Sequence, residues 1–255
     1  MITVLLPGKT IFAAETNTLT FGFDDYLLAP LRIHLLTSTE APHIATTLKA
    51  SDIRRILGKI NTVWSQAGIH FYLESLVKEA PKNAEHFSHP EMEPGLSWLL
   101  QLRPGASVSS NVFHLYYVKQ MRGNGVYLPE GIFVKDTASL REVPGGIDEP
   151  VPRVSSHELG HAFGLSHRQN LTNLMASGTT GTWLNEEEIK RVRDRARRLP
   201  WVETAPVTMK KADALYRDKK FSEAKVLYQH FAGLPLKTEQ VEHAKKRISE
   251  MPKRE

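Results

Sequence analysis

Three histidines and a glutamate with the spacing of a metal site lie in the stretch HELGHAFGLSH, which begins at residue 157. In an α-helix, residues four apart share a face, so His157 and His161 can each direct a ring nitrogen at the same metal ion. Glu158 lies about 100° further round such a helix, beside the metal, where its carboxylate can accept a proton from a bound water. Gly164 permits a positive φ and a sharp exit from the helix. The chain can then turn back and supply His167 as a third ligand.

Three neutral imidazoles with one open position are typical of a catalytic zinc site, because structural zinc sites are closed by four protein ligands. Bound zinc lowers the pKa of its water from about 15.7 to about 7 and polarises a carbonyl oxygen. The pattern therefore predicts Zn²⁺ as cofactor and hydrolysis of an amide as the reaction.

Each of these residues taken singly has a more ordinary interpretation. A lone histidine is usually a surface or hydrogen-bonded side chain, and Glu158 would complete a capping box with Ser155. At the residue frequencies of this chain, the joint pattern arises by chance with a probability on the order of 10⁻⁴. The combination therefore favours a metal site.

Composition narrows the classes of protein. The chain has 255 residues, of which 41% are hydrophobic and 24% charged, so it is neither wholly disordered nor collagen-like. The 33 basic and 28 acidic residues give a net charge of +5, a modest excess that does not call for nucleic acid. There is no cysteine, which excludes disulfides, thiolate metal sites and thiol nucleophiles. No apolar run approaches the roughly 20 residues of a membrane-spanning helix, and the first residues show no secretory leader pattern.

The hydrophobic pattern predicts the elements that would position the site. A helix capped by Ser51 and stopped at Gly68 carries an apolar stripe with three-to-four spacing. Pro129 follows an extended piece at 126–128, which favours a sheet edge because proline lacks a backbone donor. The other predicted elements are strands at 31–37, 69–76, 111–118 and 131–135, a polar loop at 80–96, a helix near Val154, and a helix from Asn185 to Pro200.

The histidine stretch resembles the zinc signature of the metzincin metalloendopeptidases. The tripeptide Asn-Leu-Met at 173–175 resembles their Met-turn, at the spacing of matrixins and pappalysins. The resemblance covers residues 28 to 199 and implies an α+β fold of the metzincin-type zincin class. Such a fold has a twisted mixed sheet, a long backing helix and an active-site helix, here followed by a small C-terminal helical appendage.

By this resemblance, His157, His161 and His167 bind zinc, Glu158 is the general base and acid, and Met175 supports the metal site from below. The edge strand near Gly125–Leu128 can hold an extended peptide substrate by backbone pairing, which is a general mode of recognition, and its more ordinary interpretation is a simple hairpin arm. In the family layout, the loop at 176–184, with its Trp183, forms part of the pocket for the side chain after the scissile bond.

The sequence departs from family patterns in two ways. Ser177 stands two residues after Met175, where astacins and serralysins have a tyrosine near the metal. Without cysteine, the chain has neither the cysteine switch of matrixins nor the extra cysteines of archaemetzincins. If a latency segment exists, Asp24 or Asp25 would be the carboxylate that covers the zinc.

The predicted organisation has four parts: an N-terminal extension at 1–27, a catalytic domain at 28–200, a linker at 201–207 and a helical segment at 208–255. The last part reads as a single tetratricopeptide-like hairpin plus a helix, which braces the main domain or meets a protein partner.

The predicted function is that of a zinc-dependent endopeptidase in which Glu158 activates a zinc-bound water. Two alternatives are a non-catalytic zinc-fold scaffold that presents its C-terminal helices, and a zinc hydrolase of a non-peptide amide. An intact glutamate argues against the scaffold, and a pocket closed at one end would favour the non-peptide amide. The family resemblance implies that the protein is secreted or otherwise acts outside the cytoplasm.

Overall fold

The computed structural model describes residues 19–87 and 96–252. Most of the predicted N-terminal extension and the middle of the predicted polar loop at 80–96 lie outside these ranges. Within them, no helix has both the length and the apolar composition needed to cross a bilayer.

Strands and helices are interspersed up to residue 135, and the described elements after it are helices apart from one two-residue strand. In chain order they are β1 (Leu27–Leu36), α1 (Ala50–Trp64), β2 (Ile69–Glu79), α2 (Leu96–Leu99), β3 (Phe113–Val118), β4 (Gly125–Leu128), β5 (Gly131–Lys135), α3 (Pro150–Ala162), α4 (Glu186–Arg197), β6 (Glu203–Thr204), α5 (Ala205–Arg217), α6 (Phe221–Gln229) and α7 (Glu239–Glu250).

The strands form one mixed sheet in the order β2-β1-β3-β5-β4, with β6 added beside β1. The strands β2, β1, β3 and β5 are parallel, whereas β4 runs antiparallel to β5 at the edge. Pro129 directly follows β4, so the predicted edge position is confirmed. The predicted α+β class, with its mixed sheet, long helix and C-terminal helical appendage, is also confirmed.

The long helix α1 packs its apolar stripe against one face of the sheet, where Ile56, Ile60 and Trp64 are fully buried. The predicted N-cap at Ser51 was wrong, because the helix is capped at Lys49. Asp52 explains the difference: its carboxylate accepts the backbone N–H of Lys49 at 2.8 Å and thereby closes the helix start two residues earlier.

The central strand β1 begins four residues before the predicted start at residue 31. Its first two residues pair with β6 on one side, and β3 pairs on that same side only from Leu31 onward. Pro30 lies in the gap between these two neighbours, where no ladder needs its missing N–H. A proline is tolerated inside β1 because neither β6 nor β3 pairs with this residue, although β2 pairs with it on the other side.

The helices α5 to α7 share a hydrophobic core with the residues that lead into β1. Phe23, Tyr26 and Leu28 are buried among residues of these helices, and the rings of Phe23 and Phe231 lie 5.7 Å apart. Residues 203–204 of the predicted linker form β6 and pair with the start of β1. The predicted boundaries at 28–200, 201–207 and 208–255 remain a prediction.

A cluster of polar side chains is buried on the face of the sheet that points away from α1. His34 Nδ1 lies 2.6 Å from Glu79 Oε1, and His34 Nε2 lies 2.9 Å from His114 Nδ1. The remaining nitrogen of His114 lies 2.8 Å from the carbonyl oxygen of Ser109. We call these four residues the His34 cluster.

Candidate metal centre

The helix α3 and the turn that follows it bring His157, His161 and His167 together. The Nε2 atom of His161 lies 3.2 Å from the Nε2 atoms of both His157 and His167. Ligand atoms of all three residues lie within 4.8 Å of one another, and no other described residues form such a group. We call these three residues the histidine triad.

Backbone carbonyls fix the ring orientation of the two helical histidines. The Nδ1–H of His157 donates to the Leu174 carbonyl at 2.7 Å, and that of His161 donates to the Leu165 carbonyl at 2.8 Å. Each ring then has an unprotonated Nε2, and the two lone pairs face each other without a proton to share. The pattern is that of metal-binding histidines, whose second nitrogen donates to an oxygen of the protein.

These distances fit a zinc ion. Zn–N bonds of about 2.0–2.1 Å in a tetrahedral site place two ligand nitrogens about 3.3–3.4 Å apart. Burial lowers the pKa of His157 to about 3 and also lowers the pKa of His161. Both rings are therefore neutral at physiological pH, which is the form that binds metal.

Gly164 ends the histidine helix as the sequence predicted. Its φ of +84° lies in the left-handed region that favours glycine. The backbone then doubles back, and the exposed His167 reaches the buried His157 and the half-buried His161. One step further on, the N–H of Arg168 donates to the carbonyl of Met175 at 2.9 Å, which ties the third histidine to the 173–175 turn.

Met175 itself is fully buried in the main core, and Asn173 Oδ1 accepts its backbone N–H at 2.7 Å. The residue before it, Leu174, supplies the carbonyl that orients His157. The turn therefore holds ring positions through its backbone, while the methionine side chain packs below.

Glu158 lies beside the triad with 5% of its surface exposed. Burial raises the pKa of this carboxyl to about 7, against the opposing effects of a hydrogen bond from the Tyr127 backbone and the charge of Arg153. A cavity of about 230 Å³ opens between this carboxyl, His157, His167 and Gly125. The carboxylate is thus placed where it can exchange a proton with a molecule in that cavity.

Close approach of the edge strand depends on Gly125. A Cβ atom at this position would lie 2.5 Å from Val154 Cγ1 and 2.8 Å from Glu158 Oε1. The bare backbone lets β4 pack directly against α3 and form one wall of the cavity. Sequence reasoning placed a peptide along this strand without identifying this requirement.

Arg153 is a buried residue of the site that sequence reasoning missed. It is 1% exposed, and its guanidinium donates to the carbonyls of Gly181 at 3.1 Å and Ala176 at 2.5 Å. Its Nη1 lies 3.3 Å from His157 Nδ1, against the edge of the ring. An arginine one helical turn before the first histidine, among apolar residues, was the available signal.

Glu188 is a second residue that was missed, although the sequence placed it in the first turn of α4. Its buried carboxylate accepts hydrogen bonds from Arg168 Nε at 2.7 Å, from Asn173 Nδ2 at 2.8 Å and from the Asn185 backbone at 3.0 Å. Asn185, where the sequence predicted the helix to begin, is the N-cap of α4. One carboxylate therefore links the chain after His167, the 173–175 turn and α4.

Two further expectations concern the loop at 176–184 and the aspartates before β1. Ser177 and Gly178 line the cavity beside the triad, whereas Trp183 is not among its lining residues. Asp24 and Asp25 do not belong to the metal-binding group, so neither covers the triad in this structure. Asp25 instead accepts the Gly22 backbone N–H in the turn before β1.

Comparison with models of known protein families finds no match, and comparison with curated proteins finds none either. Among solved structures, the chain is similar to an archaemetzincin from Methanopyrus kandleri, with 15% identity over 68% of this chain and 97% of that one, at a TM-score of 0.47. It is also similar to mirolysin in complex with compound 9, with 12% identity over 66% and 91% of the two chains, at a TM-score of 0.45. A zinc-dependent peptidase from Methanocorpusculum labreanum shares 12% identity over 63% and 92%, at a TM-score of 0.33. The function proposed below rests on the geometry of the site.

Proposed function

We propose that this protein is a zinc-dependent endopeptidase with His157, His161 and His167 as zinc ligands and Glu158 as general base. One observation carries the proposal. The Nε2 atom of His161 lies 3.2 Å from the Nε2 atoms of both His157 and His167, and carbonyls hold the Nδ1 protons of His157 and His161. The HExxHxxGxxH spacing and the Met175 turn support a metzincin-type enzyme with matrixin-like or pappalysin-like spacing.

When bound, zinc would activate a water and polarise the carbonyl that is attacked. Glu158 accepts the proton of the attacking water and then transfers it to the leaving amine. Its burial beside the triad keeps bulk water from competing for that proton. The Tyr127 backbone N–H holds the carboxylate, so that it is already positioned when a substrate arrives.

The shape around the triad supports an internal peptide bond as substrate. β4 is the last strand on its side of the sheet, so its outward-facing backbone groups, other than the Tyr127 N–H that Glu158 accepts, can pair with an extended chain. One cavity lies on the Gly125 side of the triad, and a second of about 620 Å³ lies on the Tyr127 side, next to His161. Space on both sides suits a chain that passes through, whereas a small non-peptide amide would need only one.

The location outside the cytoplasm remains part of the proposal and is supported by the family resemblance alone. The proposed partner is a peptide or protein substrate, and a protein partner at α5 to α7 stays a prediction.

The test is Glu158→Gln, with Glu142→Gln as the matched control because Glu142 is an exposed carboxylate in the loop before α3. Glu158→Gln should keep stoichiometric zinc and cleave a quenched peptide library at least about 100-fold more slowly. The control should behave as wild type, and chelation should abolish wild-type cleavage. Wild-type rates in Glu158→Gln, or no cleavage by zinc-loaded wild type, would contradict the proposal and favour a scaffold.

A further inference from the structure

A charged pocket adjoins the histidine triad on the side away from Gly125. Its walls come from the end of α3 after His161, from Tyr127 on the edge strand and from α4, and its volume is about 620 Å³. We call it the α4 pocket. Because Tyr127 and His161 both line it, a chain bound along β4 would pass over its mouth.

One face of α4 supplies the charges of this pocket. The residues recur at three-to-four spacing and are all exposed: Glu187, Lys190, Arg191, Asp194, Arg195 and Arg198. Four basic and two acidic side chains leave an excess of two positive charges on this face.

The two acidic residues are already paired with arginines. Glu187 lies 3.4 Å from Arg191, and Asp194 lies 3.8 Å from Arg197. Lys190, Arg195 and Arg198 form no ion pair with another residue in the ranges that the structure describes. The pocket therefore offers cations that are free to bind an anion.

Arg195 and Tyr127 both line the α4 pocket, so the arginine lies across this pocket from the edge strand. Burial raises the pKa of the Tyr127 hydroxyl, and the positive charge of Arg195 acts in the opposite direction.

We infer that the α4 pocket selects peptide substrates that carry an acidic side chain on the N-terminal side of the scissile bond. The inference rests on the proposed function and names its substrate class. The side follows from strand direction, because antiparallel pairing is slightly more stable than parallel pairing. A peptide antiparallel to β4 places the residues that precede the scissile bond over Tyr127.

The position along the peptide follows from strand geometry. Tyr127 lies two residues beyond Gly125, which contacts Glu158, and a strand advances about 3.3 Å per residue. The acidic side chain therefore belongs to the second or third residue before the scissile bond.

The experiment measures binding to zinc-loaded Glu158→Gln, so that turnover does not interfere. Fluorescent peptides of one parent sequence, with Glu, Gln or Lys at each position in turn, are titrated by anisotropy at low and high salt. We expect Glu to bind about fivefold more tightly than Lys at one position, since each exposed ion pair contributes a modest amount. The preference should weaken at high salt because the charges are exposed.

Charge reversal in the Glu158→Gln protein tests whether the preference for Glu over Lys comes from the α4 pocket. Arg195→Glu or Arg198→Glu cancels the excess of two positive charges and should remove it, as should the neutral double variant Arg195→Gln/Arg198→Gln, whereas the double reversal Arg195→Glu/Arg198→Glu should invert it. Arg54→Glu changes the charge equally at an exposed position on α1 and should leave it intact. Equal affinity for Glu and Lys, or an unchanged preference in the α4 variants, would overturn the inference.

Wild-type cleavage separates this inference from the proposed function. Mapped products should show the acidic residue before the scissile bond, and an acidic residue after it would overturn the inference. Cleavage without charge preference removes the inference alone. Charge preference in binding without any wild-type cleavage removes the proposed function instead.

Discussion

Two groups of histidines lie on opposite faces of one sheet, and they use their nitrogens differently. In the His34 cluster, both nitrogens of His34 and of His114 lie within hydrogen-bond distance of a partner in a chain from Glu79 to Ser109. In the histidine triad, carbonyls occupy only the Nδ1 atoms of His157 and His161, and the Nε2 atoms face one another.

The difference shows what makes buried histidines a metal site. Proximity alone does not, because the rings of His34 and His114 lie 5.1 Å apart and those of His157 and His161 lie 4.8 Å apart. The distinguishing feature is a set of lone pairs that no proton of the protein satisfies. A cation completes the triad, whereas the His34 cluster is complete without one.

Removing one histidine from each group should give the largest difference between them, and this difference should appear in the zinc content. We expect His161→Ala to lose stoichiometric zinc and all hydrolysis, because two ligands remain and one is exposed. His114→Asn should keep one zinc per chain. Metal analysis after gel filtration measures both, and zinc loss in His114→Asn would show that the two groups are coupled.

The carbonyl that orients His157 belongs to a turn next to the loop that Arg153 holds. We therefore expect Arg153→Met to weaken zinc binding about 10- to 100-fold, as loss of an outer partner typically does. Arg193→Met is the matched control, because Arg193 is also buried and donates to the carbonyls of Ala67 and Asp25 away from the site. Competition with a chelating dye measures the affinity. Equal weakening in both variants would mean that Arg153 acts only through general stability.

The His34 cluster should contribute to stability instead of metal affinity. His34→Leu leaves the buried nitrogen of His114 and the carboxyl of Glu79 without their partner, which should cost about 2 kcal/mol of unfolding free energy. Urea unfolding of the zinc-loaded protein measures this value, and dye competition should give wild-type affinity. An unchanged unfolding free energy would show that water replaces the lost partner.

Acid should act on the His34 cluster with a definite sign. Burial, with the charges of His114 and Arg32, lowers the pKa of His34 to about 3. Below about pH 6.5 the unfolded chain binds a proton that folded His34 refuses, so stability is lost as the pH falls from about 6.5 toward 3.

His34→Gln removes the titrating ring, so the unfolded chain no longer binds this extra proton. In chelator, the loss of unfolding free energy per pH unit should be smaller in this variant by up to about 1.4 kcal/mol. The triad is present in both proteins and cancels in the difference. Identical slopes would indicate that His34 is already charged in the folded protein.

The sequence predicted those features of the fold that depend on residues close together along the chain. The period of Ile56, Ile60 and Trp64 defined the sheet-packing side of α1, and Pro129 defined the edge of the sheet. The spacing of His157 and His161 predicted their shared face, and Gly164 predicted the turn back to His167.

Contacts between distant segments were not predictable in this way. Arg153 and Glu188 are polar residues whose partners lie up to 28 residues away along the chain. Gly125 matters because of atoms on α3, and the early start of β1 depends on β6, more than 170 residues later. Without the fold, such residues read as ordinary members of a helix or turn.

The core that α5 to α7 share with the start of β1 bears on how the chain can be shortened. Truncation after Pro200 would remove β6 and uncover Phe23, Tyr26 and Leu28 together with the Tyr72 ring that stacks on His230 at 3.6 Å. These aromatic and aliphatic surfaces adjoin β1, an interior strand of the sheet. A fragment cut there would expose apolar surface next to β1 and would tend to aggregate. Recombinant versions of this protein should therefore retain the chain through Met251.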